Sequence, residues 1–265
     1  YKQKKREYSF LTMLGIGARV STAIKSSFFA KPLAFTRTMS MLVESVKFAS
    51  ENAKGECPAV FVKGKDSGST QGLVVLQEWW GMNQQIQDEA KEIAEKGDFL
   101  ALVPDLYRGK VATDNEAAGH LMNNLDWPGA IQDIKGAAKY LLSKGCTKVG
   151  VTGFCMGGAL SLASAALVPE ISASAPFYGI PGEALCDVSK INIPLQCHFG
   201  ELDTLVGFSS PKDVEALKGK LEAGGVNFEL HMYKADHAFT HKGGANYNQE
   251  VSELALQRMI DFMKK

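Results

Sequence analysis

The residues best suited to chemistry are Cys155, Asp203 and His237. Cys155 is the centre of Gly153-Phe154-Cys155-Met156-Gly157-Gly158, a G-x-C-x-G segment between a run of strand formers, Lys148–Thr152, and a small-residue stretch, Ala159 to Leu167. In a strand–turn–helix setting the related G-x-S-x-G segment forces its central residue into a strained turn, and the flanking glycines let strand and helix approach closely. Here the central residue is a thiol. A free cysteine titrates near 8.5, so holding it as thiolate at pH 7 costs roughly 2 kcal/mol, which a helix N-terminus and a neighbouring imidazolium can offset. Such a nucleophile needs a base and an acid to orient the base, following it in the order acid, then His. Asp203, in Gly200-Glu201-Leu202-Asp203, lies 48 residues after Cys155, and His237, in Asp236-His237-Ala238-Phe239, a further 34 on. His237 would exchange a proton with the thiol and later deliver one to a leaving group, while Asp203 fixes its tautomer. Glu201 is the reserve acid. His120, His198, His231 and His241 carry no comparable motif and are read as structural or surface residues.

For these three side chains to meet, the chain must bring strand ends to one edge. From about residue 57, short β-branched runs alternate with longer stretches at helical spacing, which predicts an α/β fold with a mostly parallel central sheet, helices on both faces, and a single domain over 57–265. Strands are expected at Ala59–Val62, Leu73–Gln77, Phe99–Val103, Lys148–Thr152, Ala173–Tyr178, Leu195–Phe199 and Phe228–Tyr233, several continuously apolar as doubly covered strands should be. Helices are expected after Asn83, stopped by Gly97; after Asp126, stopped by Gly145; after Ser210-Pro211; and from about Asn246 to the end. Cys155, Asp203 and His237 then fall at the carboxyl ends of strands, where open α/β sheets gather their sites.

The chain has 265 residues, 45% hydrophobic and 22% charged, which is a globular composition. Its 29 basic residues balance 29 acidic ones, so nothing in the net charge calls for nucleic acid. The balance conceals a gradient: residues 1–43 hold eight basic residues and one acid. Met13 to Val43 has no acid and many Ser, Thr and Ala, a texture that suits a transit peptide for mitochondrion or plastid better than a secretory signal. Residues 1–50 are accordingly expected to be a transit peptide or disordered leader; the alternative is a plain disordered arm on a cytoplasmic protein. No stretch reaches the roughly 20 apolar residues of a membrane span, so no membrane insertion is expected. Five cysteines without a C-x-x-C pair fit a reducing compartment, and Cys57, Cys146, Cys186 and Cys197 are read as packing. No metal or cofactor is called for. A monomer is the working expectation, although the sequence itself gives no oligomeric state.

Gln77-Glu78-Trp79-Trp80-Gly81, Pro104-Asp105-Leu106-Tyr107-Arg108-Gly109, the Cys155 elbow, Phe177-Tyr178-Gly179, Gly200-Glu201-Leu202-Asp203 and His237-Ala238-Phe239 together resemble dienelactone hydrolase (carboxymethylenebutenolidase), over roughly residues 57–265. The resemblance implies an α/β-hydrolase fold and a Cys155-Asp203-His237 triad hydrolysing small esters or lactones through a thioester acyl-enzyme, without a cofactor. It gives Glu78 the task of keeping the resting thiol neutral and taking its proton when substrate arrives. It implies an oxyanion hole from the backbone N–H groups of Met156 and Trp79, a site-lining role for Tyr178, and a substrate carboxylate held by Arg108. One departure stands out: the family's second arginine, a few residues after the histidine, is missing from Phe239-Thr240-His241-Lys242, so carboxylate recognition is expected either to be weaker or to use Lys242. Trp79 and Trp80 also suit a different acyl or alcohol group. Two other classes remain open on the sequence, a ligand-binding protein that uses the pocket without turnover and a redox sensor whose responsive thiol is Cys155.

Overall fold

The computed structural model describes residues 41–64 and 69–265, which fall within one compact unit. Continuous apolar runs become the inner strands: β3 (Gln71–Leu76), β4 (Leu100–Pro104), β5 (Lys148–Phe154) and β7 (Leu195–Gly200) are buried almost throughout. With β1 (Leu42–Phe48), β2 (Cys57–Lys63), β6 (Ala173–Phe177) and β8 (Phe228–Tyr233) they form one sheet in the order β1-β2-β4-β3-β5-β6-β7-β8. β1 and β2 pair antiparallel, as do β2 and β4; every pairing from β4 onward to β8 is parallel. The helices are α1 (Gln84–Gly97), α2 (Asn115–Asn123), α3 (Trp127–Ser143), α4 (Met156–Leu167), α5 (Pro211–Ala223) and α6 (Gln249–Met263). α1 packs with α6, and α3 with α4. This is the α/β-hydrolase arrangement, and no described helix is long and apolar enough to cross a membrane.

Local sequence explains where the helices begin. Asn83 accepts the Ile86 N–H at 3.1 Å, Asp126 accepts that of Gly129 at 3.1 Å, and Ser210 with Asp213 forms a capping box. The last helix starts at Gln249, capped by Asn248, somewhat later than expected. At the end of α1 the left-handed residue is Asp98 (φ 55°), not the expected Gly97. Gly97 is the last helical residue, at a position where a Cβ would lie 2.0 Å from the Phe99 ring.

The beginning of the fold also differs from expectation. Of the leader expected over 1–50, residues 1–40 lie outside the described residues, and Leu42–Phe48 is strand β1, paired in register from Leu42↔Lys63 to Phe48↔Cys57. An edge strand has one neighbour and a mostly exposed surface, so it carries charges such as Glu44 and Lys47 and no apolar run.

Candidate active site

β5 ends at Phe154 and α4 begins at Met156, so Cys155 alone makes the turn, with φ 54° and ψ −115°. A non-glycine residue held there stores strain of about 1–3 kcal/mol, and the crossing of strand and helix enforces it. A Cβ on Gly153 would sit 2.4 Å from the Gly157 carbonyl oxygen, and one on Gly157 2.5 Å from that of Leu76. Tyr178 (φ 34°) and Ala238 (φ 62°), one residue past β6 and one past His237, are strained in the same sense. Strain of this kind gathers where geometry is over-determined.

The thiol is 9% exposed. Burial first, and the Glu78 carboxylate second, push it well above the ordinary cysteine range; hydrogen bonds from the backbone N–H groups of Met156 and Trp79 act in the opposite direction. Burial and Glu78 thus both favour the protonated form of the thiol. The same two N–H groups converge on the sulfur, one from the helix N-terminus and one from the segment after β3.

Three residues beyond β7, Asp203 is buried, and its Oδ2 accepts from His237 Nδ1 at 2.8 Å. Burial alone would raise this carboxyl, but hydrogen bonds from His237, the Leu205 N–H (2.9 Å) and Ser209 outweigh it and hold the group below its usual value. With Nδ1 committed, Nε2 is the free nitrogen of the His237 ring; it is buried and has no hydrogen-bond partner. Glu201, the reserve acid, is exposed.

Cys155, His237, Glu78 and Trp79 share one cavity of about 810 Å³ at the carboxyl edge of the sheet. Glu78 is 3% exposed; its Oε2 lies 2.5 Å from His241 Nδ1, while Oε1 is buried without a partner. Among the described residues no cluster of three or more His, Cys, Asp or Glu side chains is set up to hold a metal ion.

The profile of the dienelactone hydrolase family matches residues 58–265. The chain belongs to that family. Protein usf of Aquifex pyrophilus is 35% identical over 182 residues, covering 63% of this chain and 76% of that protein. A relative in Aquifex aeolicus, provisionally named a carboxymethylenebutenolidase, is 30% identical over 208 residues, 72% of this chain and 87% of its own. Among solved structures, one provisionally assigned as a dienelactone hydrolase from Klebsiella pneumoniae superposes with a TM-score of 0.75 at 24% identity, covering 85% of this chain and 99% of the other.

Two residues that the dienelactone hydrolase resemblance assigns to substrate are elsewhere. Arg108 does not reach the cavity: it forms a two-pronged pair with Asp133 of α3, Nη2 to Oδ1 at 2.7 Å and Nη1 to Oδ2 at 3.0 Å, and also donates to the Asp105 carbonyl at 3.0 Å. Asp133 is completely buried and needs a counter-charge, and the left-handed turn at Arg108 (φ 56°) accompanies the swing toward it. Tyr178 does not line the cavity either. It is fully buried behind His237, ring centroids 5.1 Å apart and edge-on, with its hydroxyl 2.7 Å from Thr240 Oγ1. Lys242 is likewise taken up, by Glu92.

The site also holds residues that the sequence reading passed over. His241, one turn of loop after His237, lines the cavity, and its pairing with Glu78 raises its pKa against the opposing effect of burial. Its proximity to the expected arginine position was the available signal. Ser209 places its Oγ 3.1 Å from His237 Nδ1; standing next to a helix cap, it gave no separate signal. His198 is the satisfied core residue expected of it, bonded to Tyr233 and Gln196 at 2.9 and 3.0 Å.

Proposed function

We propose that the chain is a thiol-dependent hydrolase of small carboxylic esters or lactones, with Cys155 as nucleophile, His237 as base and acid, and Asp203 as orienter. Family membership supports ester hydrolysis at the coarse level. The observation that carries the finer reading is the thiol on a strained elbow, facing two backbone N–H groups, in one cavity with an imidazole whose far nitrogen is fixed by a carboxylate.

The chemistry follows from the free atoms. Two buried acceptors stand ready for the thiol proton, His237 Nε2 and Glu78 Oε1. Glu78 keeps the resting thiol neutral, because a nearby anion disfavours a second one, and so protects it from oxidation. The thiol proton passes to His237 Nε2, directly or by way of Glu78 Oε1; the thiolate attacks the carbonyl carbon, and the N–H groups of Met156 and Trp79 receive the charge that forms on the carbonyl oxygen. Donors of this kind are worth about 3–4 kcal/mol each in acyl transfer. The tetrahedral adduct collapses to a thioester as the C–O bond breaks, and protonated His237 gives its proton to the departing alkoxide. Water, deprotonated by His237, then attacks the thioester and releases the acid and the thiol. A sensor thiol needs thiolate character and access, whereas this one is buried and neutral at rest, so turnover is favoured over redox sensing.

Hydrolysis of p-nitrophenyl butyrate by the wild type and by Cys155→Ala tests the reading. The variant is expected to lose at least a thousandfold in kcat, with a burst of nitrophenol in the wild type alone. Equal rates would refute it.

A further inference from the structure

We propose that this cavity is built for uncharged esters with an apolar acyl or aryl group and discriminates against substrates that carry a carboxylate beside the scissile bond. The inference rests on the reading of Cys155 as the nucleophile and adds the substrate class of that same site.

The first argument is a census of charge. No Lys or Arg is among the described residues that line the cavity. The two cations nearest in sequence to the expected anion-binding positions are committed elsewhere, Arg108 to buried Asp133 and Lys242 to Glu92. His241 is the one remaining candidate for a positive charge besides His237. Its Nδ1 is held by Glu78 at 2.5 Å, so any charge on it is met in place by a carboxylate and the pair offers no net attraction to a second one. His237 is matched to Asp203 in the same way.

The second argument is the sign of what is left over. Glu78 Oε1 is buried without a donor, and the neighbouring groups are Cys155 and the two paired histidines. An incoming carboxylate would lose its water in this cavity, meet no dedicated donor fork, and sit near an existing anion. Desolvation without a partner is what makes a binding site reject a charged analogue.

The third argument is the wall. Trp79 and Trp80 stand edge to face at 5.3 Å, and Met122, Leu205, Val206 and Phe208 complete an apolar lining. Val206 is 81% exposed and Leu205 44%, so the mouth presents aliphatic surface to solvent beside the thiol. Apolar surface of this kind at the rim of a cavity of about 810 Å³ is a binding feature for a ligand with an apolar body. The polar residues of the lining outside the reacting centre, Asn115, Thr204 and Asn246, are uncharged and suited to an ester oxygen or a hydroxyl.

A matched pair of substrates separates the possibilities: p-nitrophenyl 4-methylbenzoate and p-nitrophenyl 4-carboxybenzoate, which share leaving group, ring and size and differ in charge at pH 7.5. With the full chain, kcat/KM is expected to favour the methylbenzoate at least twentyfold, mainly through KM. Val206→Lys, which puts a cation at the exposed mouth, is expected to narrow that ratio at least fivefold. Hydrolysis of the carboxybenzoate as fast as the methylbenzoate, or faster, would overturn the inference and leave the thiol mechanism standing. Turnover of neither ester, nor of p-nitrophenyl butyrate, would overturn the reading beneath it and the inference with it.

Discussion

Arg108 separates stability from recognition, and Arg108→Met tests the separation directly. Methionine keeps much of the unbranched stem and removes the guanidinium, so the loss is chiefly electrostatic. The side chain of Arg108 is 17% exposed and that of Asp133 completely buried. After the change Asp133 keeps two donors, Ser50 Oγ at 2.6 Å and Asn52 Nδ2 at 2.9 Å, but loses both prongs of its counter-ion. Removing one partner of a buried pair costs about 3–5 kcal/mol, and the two surviving hydrogen bonds put this case at the lower end, about 3 kcal/mol. For a domain of this size, roughly 2–4 °C of Tm accompanies each kcal/mol, so thermal unfolding followed by circular dichroism should fall by about 6–12 °C. At 20 °C the folded variant should hydrolyse p-nitrophenyl butyrate with kcat/KM within threefold of the wild type. Arg108→Met combined with Asp133→Leu should regain part of the lost Tm, because an apolar pair leaves no buried charge. A Tm within 2 °C of wild type together with a tenfold rise in KM would refute the reasoning and return Arg108 to the substrate.

Two further outcomes test the electrostatics around the thiol. Glu78→Gln removes the carboxylate that, after burial, contributes most to keeping Cys155 protonated, so iodoacetamide should alkylate the thiol severalfold faster at pH 7; unchanged or slower labelling would contradict the assigned role. Glu89, on the buried side of α1, has its pKa pushed up to about 8, by burial first and by Glu78 second. The folded chain therefore binds a proton that the unfolded chain releases near 4.5, so this group makes stability fall as pH rises from about 4.5 to about 8 and level off above. Glu89→Gln should flatten the decline in Tm over that window, and a slope as steep as that of the wild type would count against a neutral Glu89.

What could be read from the sequence is what strongly local chemistry dictates. The elbow needs small residues on both sides of the thiol, so Gly153 and Gly157 announce it. Asn83, Asp126 and Ser210 mark helix starts because each satisfies an N–H in its own first turn. Inner strands are legible because both of their faces are covered. The misses at the sheet edge and around the site are long-range. β1 owes its place to pairing with β2, and little in Leu42–Phe48 signals it. Arg108 follows Asp133, 25 residues away, because a buried carboxylate elsewhere draws its guanidinium away from the pocket. Tyr178 turns inward to Thr240, 62 residues on, and His241 turns toward Glu78, 163 residues back. Residue type tells what a side chain can do, and the partner that decides among those options comes from another segment.

The cavity holds two carboxylate–histidine pairs around one thiol, and they are not equivalent. Asp203 spends its oxygens on His237, the Leu205 N–H and Ser209, which together hold it below the usual carboxylate range. A carboxylate so fully engaged is a poor proton acceptor, and in the proposed mechanism it orients the ring and balances the imidazolium that forms during turnover. Glu78 gives one oxygen to His241 and leaves the other buried and unclaimed. In the proposed mechanism that free oxygen can take up the thiol proton on its way to His237 without breaking an existing hydrogen bond, so the two carboxylates would divide the work, one fixing geometry and the other attending the thiol. His241 bears on this division: the carboxylate of Glu78 favours the charged form of its ring, and that charge is held against the paired oxygen. A histidine here, unlike an arginine, can lose its charge, so the pairing with Glu78 depends on pH in a way that an arginine pairing would not.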